Sequence, residues 1–138
     1  MSGITNTLFE KGERVSPDYF TGTAWLKTLV ASSPTFNTQV ANVAFDPGAR
    51  THWHTHPGGQ ILIVTDGIGY YQEKGKSIQV IRQGDVVTIL PDIEHWHGAT
   101  PDGPFTHLAI NTNSQKGVAV WMQKVKEEDY LALLRHNK

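Results

Sequence analysis

The stretch Gly48-Ala49-Arg50-Thr51-His52-Trp53-His54-Thr55-His56-Pro57-Gly58-Gly59-Gln60 sets three histidines at alternating positions and follows them with a Pro-Gly-Gly turn. On a β-strand, residues two apart point the same way, so imidazoles at that spacing can converge on one point. Neutral imidazole is the commonest protein ligand for zinc, iron, nickel, copper and manganese. Gln60 comes four residues after His56, on the far side of a turn that can fold it back toward the same point. Downstream, His95 and His97 alternate around Trp96, and His107 shares a strand face with Ala109 and Asn111. Six of the seven histidines therefore lie between positions 52 and 107, on alternating positions of strand-like segments. Chance scatter does not produce that pattern readily, and a metal centre does. His136, at the end of the tail, reads instead as a solvated cation in a last helical turn.

Around this segment the chain punctuates itself at short, even intervals. Turn signals stand at Asp46-Pro47-Gly48, Asp66-Gly67, Lys74-Gly75-Lys76, Gln83-Gly84-Asp85, Pro91-Asp92 and Pro101-Asp102-Gly103-Pro104. Between them lie runs rich in Val, Ile, Thr and aromatics, at residues 23–30, 38–45, 60–65, 78–81, 86–90 and 105–111. Strands of that length between turn clusters indicate an antiparallel all-β sandwich or barrel. Lys74-Gly75-Lys76 should be a hairpin tip. The tail from Lys126 to Arg135 is acidic at its start and basic at its end, which suits a helix dipole. Tyr130, Leu131 and Leu134 give that helix one apolar face against the β body. The 138 residues suit one domain: N-terminal strands at 19–36, a barrel core at about 37–112, and a C-terminal strand and helix at 117–136.

Composition excludes several classes. Twelve Lys plus Arg against thirteen Asp plus Glu leave no basic excess to hold a phosphate backbone, so no nucleic-acid partner is expected. With no cysteine there is no disulfide, thiolate nucleophile or iron–sulfur cluster. Hydrolysis by an acyl-enzyme is disfavoured as well, because no serine sits in a nucleophile elbow. No apolar run approaches membrane-spanning length, and the N-terminal stretch carries charge by residue 10, unlike a signal peptide; a cytoplasmic location is expected.

These residues carry a resemblance. Gly48, His54, His56, Gln60 and Gly67 are spaced as in the first signature of the cupin superfamily, with Gln60 where a glutamate is usual. Gly84-Asp85 through His95 resembles the second signature, with the same glycine-to-histidine interval of eleven. Asp92 stands where glycine is usual and Ala99 where many members have asparagine; aspartate tolerates a left-handed backbone better than most residues. The resemblance implies a single-domain jelly-roll β-barrel holding one divalent metal ion at His54, His56, Gln60 and His95. With those four positions filled, His52 has no assigned part. Replacing Glu by Gln removes a negative charge beside the ion, which makes it a stronger Lewis acid.

The stretches around Trp53–Pro57, Gly59–Thr65, His95–Ala99, Thr106–Ile110 and Trp121-Met122 resemble small bacterial cupins with hydroxynitrile lyase activity, and the likeness runs from about Tyr19 to Tyr130. The same stretches occur in cupins labelled carboxymuconolactone decarboxylase-like. That subgroup implies manganese as the metal, with iron, nickel, zinc or copper as alternatives. It also implies a cyanohydrin substrate interconverted with an aldehyde and hydrogen cyanide, and a homodimer or homotetramer for which Trp25 and the N-terminal strands are candidate contacts. Such a reaction needs a neutral base near the hydroxyl. His107 is the first candidate and His97 the second, since each can face the barrel interior from its own strand. Ala41 and Val43 would shape the aldehyde pocket, and Asn111 would supply a hydrogen bond. The residues leave two other classes open: a dioxygen-activating metal cupin, and a metal- or small-molecule-binding cupin without catalysis.

Overall fold

The computed structural model describes residues 8–136, of which 135 and 136 enter as backbone only; the expectation for the His136 side chain lies outside what is described. The strands are β1 (Glu13–Arg14), β2 (Phe20–Thr21), β3 (Ala24–Val30), β4 (Thr38–Phe45), β5 (Arg50–Thr51), β6 (His54–Thr55), β7 (Gln60–Glu73), β8 (Gln79–Arg82), β9 (Val86–Ile89), β10 (His95–Ala99), β11 (Phe105–Thr112) and β12 (Val120–Trp121). Two short helices, α1 (Glu127–Tyr130) and α2 (Ala132–His136), complete the chain. Among the described residues no helix is long and apolar enough to cross a membrane.

All strand pairs run antiparallel. One sheet has the order β1-β3-β4-β11-β7-β9, and the other β8-β7-β10-β5-β2, with β6 beside β10 and β12 beside β6. The fourteen-residue β7 belongs to both sheets. Its first half pairs with β9 and β11, its second half with β8 and β10. The all-β jelly-roll architecture with a short helical C-terminus is therefore as expected, and the strand bounds agree with the expected runs to within a residue or two.

Asp66-Gly67 is the exception. The expected turn there is a bend inside β7. Between Thr106↔Asp66 and His107↔Val64 the register slips, leaving Thr65 as an extra residue. Such a bulge increases local twist and re-aims the strand, here from one sheet into the other. Gly67 sits at φ 78°, and a Cβ on it would meet the Pro104 carbonyl oxygen. The dipeptide supplies the backbone conformation of a turn, but the chain beyond it finds β8 and β10 to pair with and stays extended. Lys74-Gly75, by contrast, is the hairpin tip between β7 and β8.

Leu62, Val64, Phe45, Phe105, Ala49 and Ala99 fill the space between the sheets, all at most 4% exposed. A second apolar cluster lies on the outside of β10, where Trp53, Tyr70, Trp96, Val125 and Tyr130 pack together. The tail closes over this cluster. Its helix is not continuous: Leu131, at φ −91° and ψ 11°, breaks it. The break rotates the second turn, so Leu133 joins the cluster and the expected Leu134 faces solvent.

Candidate metal centre

Inward-facing side chains on three adjacent strands of the first sheet stand in rows. Gln39, Asn111 and Gln60 are directly opposite one another on β4, β11 and β7. The next row is Ala41, Ala109 and Leu62, and the one after it Val43, His107 and Val64. An amide row, a small apolar row and a histidine row thus follow in order. The two alanines leave the space that larger side chains would fill, and a cavity of about 150 Å³ opens there. Gln39, Ala41, Val43, His54, His56, Gln60, His97, Ala109 and Asn111 line it, with Phe20, Leu26, Thr51, Val118, Ala119 and Trp121 completing the wall.

The second sheet brings the histidines to that cavity. His54 on β6 is paired in register with His95 on β10, and their rings lie 4.4 Å apart between centroids. His56 follows His54 at 4.8 Å, ring edge to face. The Pro57-Gly58-Gly59 turn then reverses the chain, with the Gly59 N–H donating to the His56 carbonyl oxygen at 3.0 Å. Thr112 Oγ1 donates to the Gly58 carbonyl oxygen at 2.8 Å, and Gly58 lies so close to the end of β11 that a Cβ would strike the Thr112 oxygen. Gln60 is thereby folded back, and its Oε1 comes within 3.3 Å of His95 Nε2. Asp92 adopts φ 64°, so the position where glycine is usual keeps its left-handed backbone, and its N–H reaches the His56 carbonyl at 3.1 Å.

Each of three imidazoles has one nitrogen anchored to the backbone. Nδ1 of His54 donates to the His52 carbonyl at 2.8 Å, Nδ1 of His56 to Val118 at 2.6 Å, and Nδ1 of His95 to Ile93 at 2.8 Å. In a neutral ring this leaves Nε2 as a lone pair directed inward, the arrangement that orients metal-ligating histidines. His95 Nε2 and Gln60 Oε1 are then two acceptors facing each other without a proton between them, a contact that a cation relieves. His56 Nε2 and His97 Nε2 are buried with no hydrogen-bond partner. Burial holds all these rings uncharged: it pushes His54 and His97 well below the ordinary histidine range, lowers His56, and brings His95 to about 4. This donor set fits a divalent transition-metal ion.

One ring nitrogen from each of His54, His95 and His97 lies within 4.8 Å of the other two. This group contains His97, which the set implied by the resemblance does not, while Gln60 Oε1 and the His56 ring stand beside the same histidines at 3.3 Å from His95 Nε2 and 4.8 Å from the His54 ring. His97 also contacts His107: Nδ1 of the former and Nε2 of the latter are 3.0 Å apart. His107 is fully buried behind His97 and takes no part in the cavity wall, while His97 does. Ala41, Val43 and Asn111 line the cavity. His52 does not join: the strand breaks at His52-Trp53, and its ring lies near Asp18 and Lys124.

Three residues of the site escape a reading of the sequence alone. Trp121 stacks at 4.5 Å on His54 because β12 pairs with β6. Thr51 accepts the His97 N–H at its Oγ1 at 3.2 Å. Gln39 ends the amide row. What brings them to the site is strand pairing, which no local pattern in the chain marks.

Comparison with known proteins shows the family. A family model described as "Cupin domain" matches residues 41–111. A protein from Granulicella tundricola named "(R)-mandelonitrile lyase" is 45% identical over 113 residues, spanning 82% of this chain and 86% of that one. The crystal structure of a cupin-like protein from Thermotoga maritima superposes with a TM-score of 0.90 at 52% identity, covering 92% of this chain and 96% of the other. A cupin 2 conserved barrel protein from Rhodopseudomonas palustris has a TM-score of 0.65 at 20% identity, with coverage of 90% and 82%, a likeness of fold alone. With just over half its length matched by the family model, and a relative of this identity aligned over most of both chains, the protein belongs to the cupin family.

Proposed function

We propose that the chain is a divalent-metal-dependent lyase that interconverts cyanohydrins with an aldehyde and hydrogen cyanide. The observation that carries this reading is the 45% identity to a mandelonitrile lyase in a chain whose buried histidines end on a small apolar cavity. His54, His56, Gln60 and His95 would hold the ion, manganese first among the candidates, and His97 offers its Nε2 to the same space. Bound there, a divalent ion supplies Lewis acidity toward a hydroxyl oxygen.

The chain's own residues supply the proton chemistry. His97 lines the cavity and has a buried, unpartnered Nε2, so it replaces His107 as the first candidate base. In the tautomer that donates from Nδ1 to His107 Nε2, the His97 Nε2 lone pair is free to take the hydroxyl proton. The oxygen–carbon double bond then forms as the carbon–cyanide bond breaks, cyanide leaves with the electron pair, and His97 Nε2–H returns the proton to it. His107 holds the Nδ1 side of His97 throughout. Ala41 and Ala109 give the aldehyde its room, and Phe20, Leu26 and Trp121 exclude water from it.

Cyanide release from mandelonitrile by manganese-loaded protein under anaerobic conditions tests the reading. Lyase activity that vanishes on chelation is expected. Oxygen uptake with a catechol-like substrate and no cyanide release would overturn it in favour of a dioxygenase; tight metal binding with neither reaction would leave a binding module.

A further inference from the structure

The row of three amides has a direction. Gln60 Nε2 donates to Asn111 Oδ1 at 2.9 Å, and Asn111 Nδ2 donates to Gln39 Oε1 at 2.9 Å. An amide has one accepting end and one donating end, so each bond decides the orientation of the next side chain. With its Nε2 committed to Asn111, Gln60 can turn only Oε1 toward His95 Nε2. The opposite orientation would present an NH2 group to the histidines, and an NH2 group cannot ligate a cation. A carboxylate at this position would need no such control, because its two ends are alike. A glutamine does, and the row supplies it from the two neighbouring strands.

We infer that Asn111 and Gln39 are positioning residues that hold the Gln60 amide oxygen toward the metal centre. The inference rests on the metal-centre reading but not on the reaction. It also gives Asn111 a role other than hydrogen bonding to substrate. Gln39 is half-buried at the cavity wall and directly opposite Asn111; its Oε1 fixes which way round the Asn111 amide sits. Partners of this kind, one step removed from the ligands, typically change metal affinity about 10–100-fold when lost.

The test is a manganese(II) titration of the metal-stripped full chain, reading free ion by electron paramagnetic resonance. Asn111→Leu should raise the manganese Kd about 10–100-fold, and Gln39→Leu should raise it by a smaller factor. The same two substitutions in a Gln60→Glu background should cost less than about 3-fold, since a carboxylate has no wrong end, and this non-additivity isolates the pairwise coupling. A merely structural role would produce equal losses in both backgrounds. Equal losses, or wild-type affinity in the leucine variants, would overturn the relay and leave the metal centre standing. No manganese binding by the wild-type chain would overturn both. Gln39→Leu, at a partly solvent-facing position, keeps the test valid if Asn111→Leu fails to fold.

Discussion

The two faces of β10 are buried alike and finished differently. Outward, Trp96 is 0% exposed and sits among Tyr70, Tyr130, Trp53 and Val125. Its Nε1 donates to Gln72 Oε1 at 2.8 Å, and Tyr130 donates its hydroxyl proton to the Ala99 carbonyl oxygen. Arg50 lies 4.2 Å over the Tyr130 ring and reaches Glu127 at 3.0 Å. Apart from Arg50 Nε, no buried side-chain polar atom of that cluster lacks a partner. Inward, His95 and His97 are equally hidden, yet His56 Nε2, His97 Nε2 and His107 Nδ1 have no partner. Buried polar groups in native proteins are nearly always paired, so the two orphans that line the cavity, His56 Nε2 and His97 Nε2, mark where a ligand completes the structure. The outer face is closed by packing and paired polar groups, and the inner face keeps buried imidazole nitrogens unpaired.

Breaking the outer face should be the most costly. Trp96→Ala removes the largest fully buried side chain and should lower unfolding free energy by about 3–5 kcal/mol, read as a fall in the urea midpoint. A loss below about 1 kcal/mol would show that the cluster repacks and that the contrast is overstated.

Acid should separate the faces next. His95 and His107 are held at about 4 by burial, against 6.5 in the unfolded chain. Between these values the unfolded state binds more protons, so metal-free stability rises with pH through this window. It should be complete above about pH 6.5 and be lost as pH falls toward 4, by about 3 kcal/mol for each histidine. Urea midpoints at intervals from pH 7 to 4.5 measure the slope, and His107→Phe should flatten it. A wild-type midpoint that does not move with pH would contradict the buried neutral rings.

Smaller effects sharpen the comparison. Tyr130→Phe leaves the Ala99 carbonyl without its donor and should cost about 1–2 kcal/mol of stability with no change in manganese affinity. His97→Phe removes the orphaned Nε2 but also leaves the buried His107 Nε2 without its partner, so it should cost about 1–3 kcal/mol of metal-free stability. Cyanide release from mandelonitrile should nevertheless fall at least 10²-fold. A large stability loss in His97→Phe with activity intact would reverse the roles given to the two faces.

Much of this was legible along the chain. Alternation placed His54 with His56 and His95 with His97, and the Pro57-Gly58-Gly59 turn returned Gln60 to them. Local geometry carries such signals, because side chains two apart on a strand share a face whatever lies beyond. Asp66-Gly67 misled because a turn-forming dipeptide specifies φ, while the continuation of β7 depends on two distant strands that pair with it. Leu133 replaced Leu134 in the outer cluster for a similar reason: the break at Leu131 answers to packing on Trp96 and Tyr70, not to helical period.

The sequence by itself determined an all-β barrel of the cupin type and a histidine-rich centre without thiolates. Only the tertiary structure decided that His52 turns away, that His97 reaches the cavity with His107 behind it, and that Gln39 and Asn111 set the sense of the Gln60 amide. Those outcomes depend on which residues stand opposite one another on β4, β11 and β7, and on β6 against β10. Cross-strand register joins Gln39 to Asn111 across 72 residues of chain, and no local pattern encodes it.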